Sequence, residues 1–358
     1  MKKVPKALQL FLKLAISCAF FSMLLSFVRG NELVTVFSNI SWPFFGISFA
    51  VTLIMLMVSC AKWKIILDLK TKQLGYWELF KIYLIGSFFS NILPSTVGGD
   101  VVRSYYAGKT IENQSYAAVS VFVERFSGIV FLFILVAIAP LFRIELYANP
   151  YFLVPACAGL AGAACILWIW KARSPFNIPN KLAEGFFAIL RKISEKRWCK
   201  GLARPTTFVE NLYRKSIERL KKLRIEMQIA VDAIKQDARF LSRLTLLTVL
   251  FYLLTWVNVY TAFSAFHVKV DFLAICAVVP AIMLVAHVPV TLLGNLGYVE
   301  SVFVFYFLIV GVGGAESLAM GLLLRLKMLS LGGLGFISYL VYRQKHRLPP
   351  VKEEFTTL

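Results

Sequence analysis

The chain has 358 residues, 59% of them apolar and 16% charged, with 39 Lys and Arg against 19 Asp and Glu for a net charge of +20. Soluble globular chains carry about 45–50% apolar and about 25% charged residues, so a single soluble catalytic domain is excluded. One bilayer crossing takes about 20 apolar residues, which leaves room for about six to nine membrane helices. The composition predicts an all-α polytopic integral membrane protein.

In chain order the apolar runs are 8–28, 42–66, 80–94, 116–142, 151–170, 244–266, 272–288, 298–312 and 318–342. The first follows Lys2, Lys3 and Lys6 and ends without a small-residue cleavage signal. An uncleaved anchor is expected there, not a secretory leader. Run 80–93 is only 14 residues long. At about 1.5 Å per residue it covers about 21 Å, short of the ~30 Å hydrocarbon core. It leads straight into Pro94-Ser-Thr-Val-Gly98-Gly99-Asp100, and run 272–288 halts likewise at Pro289-Val-Thr-Leu-Leu-Gly294-Asn295-Leu-Gly297.

Charge bias orients the runs, because short loops rich in Lys and Arg stay on the cytoplasmic side. The amino terminus, the loop holding Lys62, Lys64, Lys70, Lys72 and Lys81, the region 171–243 with 18 Lys and Arg against 7 Asp and Glu, and the basic tail are all assigned inside. Only Arg29, Arg143 and Lys269 then fall outside, and four further Lys and Arg lie within spans. Between the two inside loops, runs 116–142 and 151–170 already complete a round trip, so a hairpin near 80–106 enters from inside and returns there. By the same count a broken hairpin near 272–312 dips from outside. The chain divides into an N-terminal membrane half, 1–170, a basic cytoplasmic loop, 171–243, a C-terminal membrane half, 244–342, and a cytoplasmic tail, 343–358. Both termini face the cytoplasm of a cell inner or plasma membrane.

Irregular backbone at membrane depth survives only where protein or water satisfies its polar groups, so two opposed broken hairpins mark a cavity. Such an arrangement is what an inverted repeat places around a transport site. Ionisable residues within spans are costly and therefore functional candidates. They are Asp100 and Arg103 after the first tip, Glu124 and Arg125 in run 116–142, Glu300 after the second tip, and Arg325 and Lys327 in the last span. Adjacent Glu124 and Arg125 point about 100° apart on a helix, so one of them needs a partner from another segment. A structural salt-bridge network and a headgroup-binding site both fit this set. Gly98, Gly99 and Asp100, opening a short helix through Tyr105, offer N–H groups to an anion such as phosphate, with Arg103 one turn on; a plain glycine bend is the alternative. His287 reads as a packing residue or a proton relay.

Other chemistry finds no support. Six scattered cysteines show no C-x-x-C and no His at ligand spacing, so no disulfide framework, metal site or cofactor is expected. Gly108-Lys109-Thr110 lacks the first glycine of a phosphate-binding loop. Inside loops explain the positive charge without nucleic acid. Within 171–243 a stretch 208–241, with Phe208, Leu212, Leu220, Leu223, Met227 and Val231 on one stripe and Arg214, Lys215, Arg219, Lys221 and Lys222 opposite, reads as an amphipathic helix. It suits an anionic lipid surface, or simply caps the membrane domain.

Three blocks resemble the signature segments of the lysylphosphatidylglycerol synthase transmembrane-region family, flippase-like integral membrane proteins. They are Ser90-Asn-Ile-Leu-Pro-Ser-Thr-Val-Gly-Gly-Asp-Val-Val-Arg103, Val123-Glu-Arg-Phe-Ser-Gly128 and Pro289-Val-Thr-Leu-Leu-Gly-Asn-Leu-Gly-Tyr-Val-Glu300. In fused members of that family a cytoplasmic aminoacyltransferase domain builds a lipid that the membrane region moves across the bilayer. With 16 residues after Tyr342, the resemblance implies a stand-alone translocase region without the synthase.

The leading expectation is a lipid translocase for a polar, phosphate-bearing headgroup. Arg103, Arg125 and Arg325 with Gly98, Gly99 and Asp100 would hold phosphate, and Asp100, Glu124 and Glu300 would hold amine or hydroxyl groups or pass protons. Pro289, Gly294, Asn295 and Gly297 would form the second tip. The alternatives are an integral-membrane transferase or hydrolase acting on a lipid-linked phosphate, and a non-catalytic subunit docked to a biosynthetic partner enzyme.

Overall fold

The computed structural model describes residues 30–93, 98–171, 232, 237–288 and 295–346. The run 8–28, Pro94, Pro289, Gly294, nearly all of the loop 171–236 with most of its amphipathic stretch, and the tail after 346 lie outside the described residues.

Among the described residues all regular structure is helical: α1 Gly30–Ser38, α2 Trp42–Leu67, α3 Tyr76–Ile92, α4 Gly98–Thr110, α5 Gln114–Ile138, α6 Pro150–Lys171, α7 Ala238–Ser264, α8 Phe272–Ala286, α9 Tyr298–Ile309 and α10 Gly314–His346. Two 3-10 turns, Ala139–Leu141 and Ile144–Ala148, link α5 to α6. Trp42–Leu67, Gln114–Leu141, Ala238–Ser264 and Gly314–Arg343 are long and apolar enough to cross a membrane. Their starts carry ordinary helix-initiating chemistry. A proline lies in the first turn of α2, the Asn113 side chain accepts the Tyr116 N–H, and Asp237 accepts those of Arg239 and Phe240. By contrast α3, α4, α8 and α9 have 17, 13, 15 and 12 residues. At about 1.5 Å per residue they reach only about 18–26 Å.

The second half repeats the first. α2, α3, α4 and α5 correspond in order and length to α7, α8, α9 and α10, and their packing corresponds too. α3 packs on α2 as α8 packs on α7; α4 bridges α3 and α5 as α9 bridges α8 and α10; α3 lies along α10 as α8 lies along α5. At the centre α2 and α7 pack directly on each other, antiparallel. The Ser41 N–H before α2 donates to Ala265 O after α7 at 2.8 Å, while Ile66 near the end of α2 clusters with Phe240 and Leu244 at the start of α7. Equivalent helices that run in opposite directions make the repeat an inverted one.

This gives the bundle two distinct ends. At one, the connections before α2, before α6 and before α8 meet: Phe37 and Phe266 rings lie 5.3 Å apart, and Arg143 bridges Asp271 at 2.5 Å. At the other, Tyr116 donates to Ile66 O at 2.7 Å and the Thr110 and Tyr342 hydroxyls lie 3.4 Å apart. The connections grouped by charge bias as outside and as inside therefore sort onto opposite ends. The α3–α4 hairpin starts and finishes at the second end, and α8–α9 at the first. Both reach the middle of α10, where Asn91 Nδ2 donates to Met328 O at 3.1 Å and Glu300 meets Arg325 at 2.7 Å.

Glycine makes the first hairpin close. A methyl group on Gly99 would collide with Ser90 Oγ and the Gly86 carbonyl oxygen, so α3 and α4 cross nearly backbone to backbone. Gly335 plays the same part where α10 crosses α3, against Leu84 O. Sequence reading missed α1, which is short and part polar, ended the helix after the first tip at Tyr105 instead of Thr110, and placed Lys62 in a basic loop although it is buried inside α2.

Candidate functional site

Five ionisable side chains converge where α2, α4 and α5 meet. Arg103, on the second turn of α4, is 2% exposed. Its guanidinium lies between two rings, 4.9 Å from the centroid of Trp63 and 4.6 Å from that of Tyr83. The rings hold the plane, and the indole is fixed in turn by donating to Ser120 Oγ at 2.9 Å. Arg103 Nε donates to Asp100 Oδ1 at 2.9 Å and one terminal nitrogen to Glu124 Oε2 at 2.7 Å. Lys62 reaches the other oxygen of Glu124 at 3.5 Å, and Arg125 donates to Asp100 Oδ1 at 3.1 Å. Both Glu124 and Arg125 thus find partners on other helices, where the 100° argument required one.

Three cations face two carboxylates, leaving one positive charge in a site otherwise lined by apolar side chains and aromatic rings. Arg103 Nη1 has no hydrogen-bond partner among the described residues, and the Arg125 side chain is 53% exposed. Those two groups are what the cluster offers to an anion. Lys62, Trp63 and Tyr83 belong to the site but were not singled out from sequence. A Lys four residues before the end of an apolar run reads as interfacial, and a Trp or Tyr in such a run reads as packing.

The second tip uses the same plan. Asn295 and Gly297 adopt φ of +60° and +81°, a left-handed geometry that reverses the chain between α8 and α9. The buried Asn295 amide donates to Ala286 O at 3.2 Å and Val288 O at 3.0 Å, satisfying carbonyls at the end of α8. Glu300 accepts the Gly297 N–H at 2.8 Å and Arg325 Nε at 2.7 Å, one on each carboxylate oxygen. Asp100 and Glu300 are each the third residue of a hairpin's second helix, and Arg125 and Arg325 each the twelfth of the helix that follows. Both pairs are 25 residues apart. Acid and arginine therefore stand at equivalent positions after the two interrupted runs.

A third polar group lies between the halves. Lys327, 1% exposed, donates to Ser48 Oγ on α2 and Asn258 Oδ1 on α7, both at 2.6 Å. His287, by contrast, is exposed and held locally, its Nδ1 2.6 Å from Met283 O.

The model of the lysylphosphatidylglycerol synthase transmembrane region matches residues 10–334. Among curated relatives, a UPF0104 membrane protein of Methanothermobacter thermautotrophicus is 25% identical over 295 residues, 80% of this chain and 82% of the relative. A UPF0104 membrane protein of Methanocaldococcus jannaschii is 28% identical over 114 residues, 31% of this chain and 34% of the relative. No solved structure matches. With the family model spanning all ten helices but the end of the last, the chain belongs to the lysylphosphatidylglycerol synthase transmembrane-region family.

Proposed function

We propose that the protein is a lipid translocase: a phosphate-bearing headgroup crosses between the two hairpin tips while its hydrocarbon chains stay in lipid. The single observation that carries this is the pair of equivalent acid–arginine contacts, Asp100–Arg125 and Glu300–Arg325, on short hairpins that start from opposite ends of the bundle. Buried charge is expensive in a membrane protein. Repeating it at matched positions of an inverted repeat fits a path that a charged group follows from either side. Arg125, half exposed beside the Asp100 carboxylate, and the unpartnered Arg103 nitrogen supply the bidentate donors that suit phosphate oxygens. In this reading the α3–α4 hairpin is re-entrant from the cytoplasmic face, α8–α9 from the opposite face, and both termini lie in the cytoplasm.

Reconstitution into phosphatidylglycerol and phosphatidylethanolamine vesicles carrying a fluorescent tracer of each lipid tests this. Dithionite quenching reads the tracer left in the inner leaflet. The expected result is leaflet exchange faster than in protein-free vesicles and reduced by Arg125→Gln. Wild-type exchange no faster than in empty vesicles, for these tracers and for aminoacylated and polyprenyl-phosphate ones, overturns the proposal.

A further inference from the structure

Lys327 differs from every other buried charge described above. Lys62, Arg103 and Arg325 each bond to a carboxylate. Lys327 meets only neutral oxygens: Ser48 Oγ and Asn258 Oδ1 at 2.6 Å, and the Ser48 carbonyl at 3.5 Å. It sits near the midpoint of α10, facing the antiparallel α2 and α7 that join the two halves. Arg325, two residues earlier, points about 200° away around the helix, toward α9 and Glu300. The ionisable side chains on α2 are Cys60, Lys62, Lys64 and, just past its end, Asp68, and those on α7 are Arg239, Arg243, Tyr252 and Tyr260. On the other helices packed against α10 they are Tyr76, Glu78, Lys81 and Tyr83 of α3, Tyr298, Glu300 and Tyr306 of α9, and Glu32 of α1. Glu300 is engaged by Arg325 and Asp68 by Lys64, and among the described residues no carboxylate lies within ion-pairing distance of the Lys327 amine.

From this geometry we infer that Lys327 is a proton-exchanging site, and that movement of the lipid headgroup is coupled to protonation and deprotonation of its amine. The inference rests on the translocase reading. The surrounding atoms suit both forms. As an ammonium, the group has three N–H donors for the three oxygens around it. When the proton leaves, the nitrogen lone pair takes the Ser48 hydroxyl hydrogen, because a serine hydroxyl can donate as well as accept, and the remaining N–H groups keep Asn258 Oδ1 and the Ser48 carbonyl. Thr52, which donates to the Ser48 carbonyl at 2.9 Å and lies 3.2 Å from Asn258 Oδ1, completes the network on the α2 side. A carboxylate partner would hold the lysine permanently charged; neutral partners leave it free to lose the charge. The contacts span α10, α2 and α7, so a change in the charge at Nζ acts on the interface where the two halves must shift relative to one another.

The test uses the full chain in two measurements. In nanodiscs, the 15N shift of the Lys327 Nζ, assigned by its loss in Lys327→Met, is followed from acid to alkaline pH. Loss of the proton within the pH range of the transport assay is expected; an amine protonated throughout that range overturns the inference. In phosphatidylglycerol and phosphatidylethanolamine vesicles with fluorescent tracers of both, a pH gradient is imposed and then collapsed with nigericin. Wild type should show several-fold faster tracer movement in one direction with the gradient, lost on adding nigericin. Lys327→Met and Lys327→Arg should keep the gradient-free exchange and lose the acceleration, the arginine because it does not release its proton. Gradient-independent exchange by wild type, or full acceleration in Lys327→Met, rejects coupling while leaving the translocase reading intact. Absence of any exchange by wild type rejects both.

Discussion

Around the first hairpin tip, Lys62, Asp100, Arg103, Glu124 and Arg125 form one connected cluster against two aromatic rings, and its Arg125 is half exposed. Around the second, Glu300 and Arg325 pair with each other, both side chains at most 10% exposed. The acid–arginine pair is shared, but among the described residues the first site is charge-rich with an exposed arginine, while the second pair is buried. On the translocase proposal, the first site would be the one open to a headgroup in this state and the second the one closed.

Removing a carboxylate from each tip sharpens this contrast. Glu124→Gln leaves Lys62 buried without its anion and Arg103 with Asp100 alone, and breaking a buried pair this way costs about 3–5 kcal/mol. The expected outcome is a large fall in thermal midpoint in detergent, partly restored by adding Lys62→Met. Glu300→Gln weakens the contact of one cation instead of two, so a smaller loss, about 1.5–3 kcal/mol, should appear in the same melt. Equal losses at the two sites would mean that the cluster is no more interdependent than the pair.

Glycines separate the close crossings from open ones. Gly99→Ala drives a methyl group into Ser90 and the Gly86 backbone, and overpacking of this kind costs about 1–3 kcal/mol. Gly333→Ala on α10 meets nothing within 4 Å and should leave stability unchanged or raise it by up to about 1 kcal/mol. The smallest effect belongs to the exposed Arg143–Asp271 bridge at the bundle end. The Arg143 guanidinium donating to Asp271 holds its carboxyl below the usual carboxylate range. A depressed carboxyl contributes stability above its ordinary value and loses it as pH falls through the folded one. Asp271→Asn should therefore lower the melting temperature slightly at neutral pH and not at strongly acid pH.

Much of the fold was legible in the sequence because long apolar runs are strong signals, and Lys and Arg sort loops by side. The four long helices and the two interrupted places follow from hydropathy, length and the Pro-to-Gly breaks. The helix α1 did not show, because nine residues with a mixed face carry no clear period. Within the site, Asp100, Arg103, Glu124, Arg125, Glu300 and Arg325 stood out as charges in apolar surroundings, whereas their partners did not. Trp63 and Tyr83 look like any other core aromatic until Arg103 is placed between them. Ser48, Thr52 and Asn258 are unremarkable until α2 and α7 are known to be antiparallel neighbours around Lys327. The glycines at the first tip, read as a turn or an anion cradle, include Gly99, whose place is fixed by a helix crossing with Gly86 that no local pattern encodes.

The account turns on whether the two hairpins meet at the same depth from opposite sides. Spin labels on a cysteine-free chain in bilayers measure this through relative accessibility to oxygen and to a nickel chelate. Val101 and Val288 beside the two tips and Trp77 and Phe272 at the two hairpin entrances are all exposed, at 48%, 54%, 64% and 42%, and so accept a label. The account predicts labels at 101 and 288 at a common depth near the bilayer centre, and labels at 77 and 272 near opposite surfaces. Labels at 101 and 288 lying at the headgroup level, or entrances sharing one surface, would contradict it.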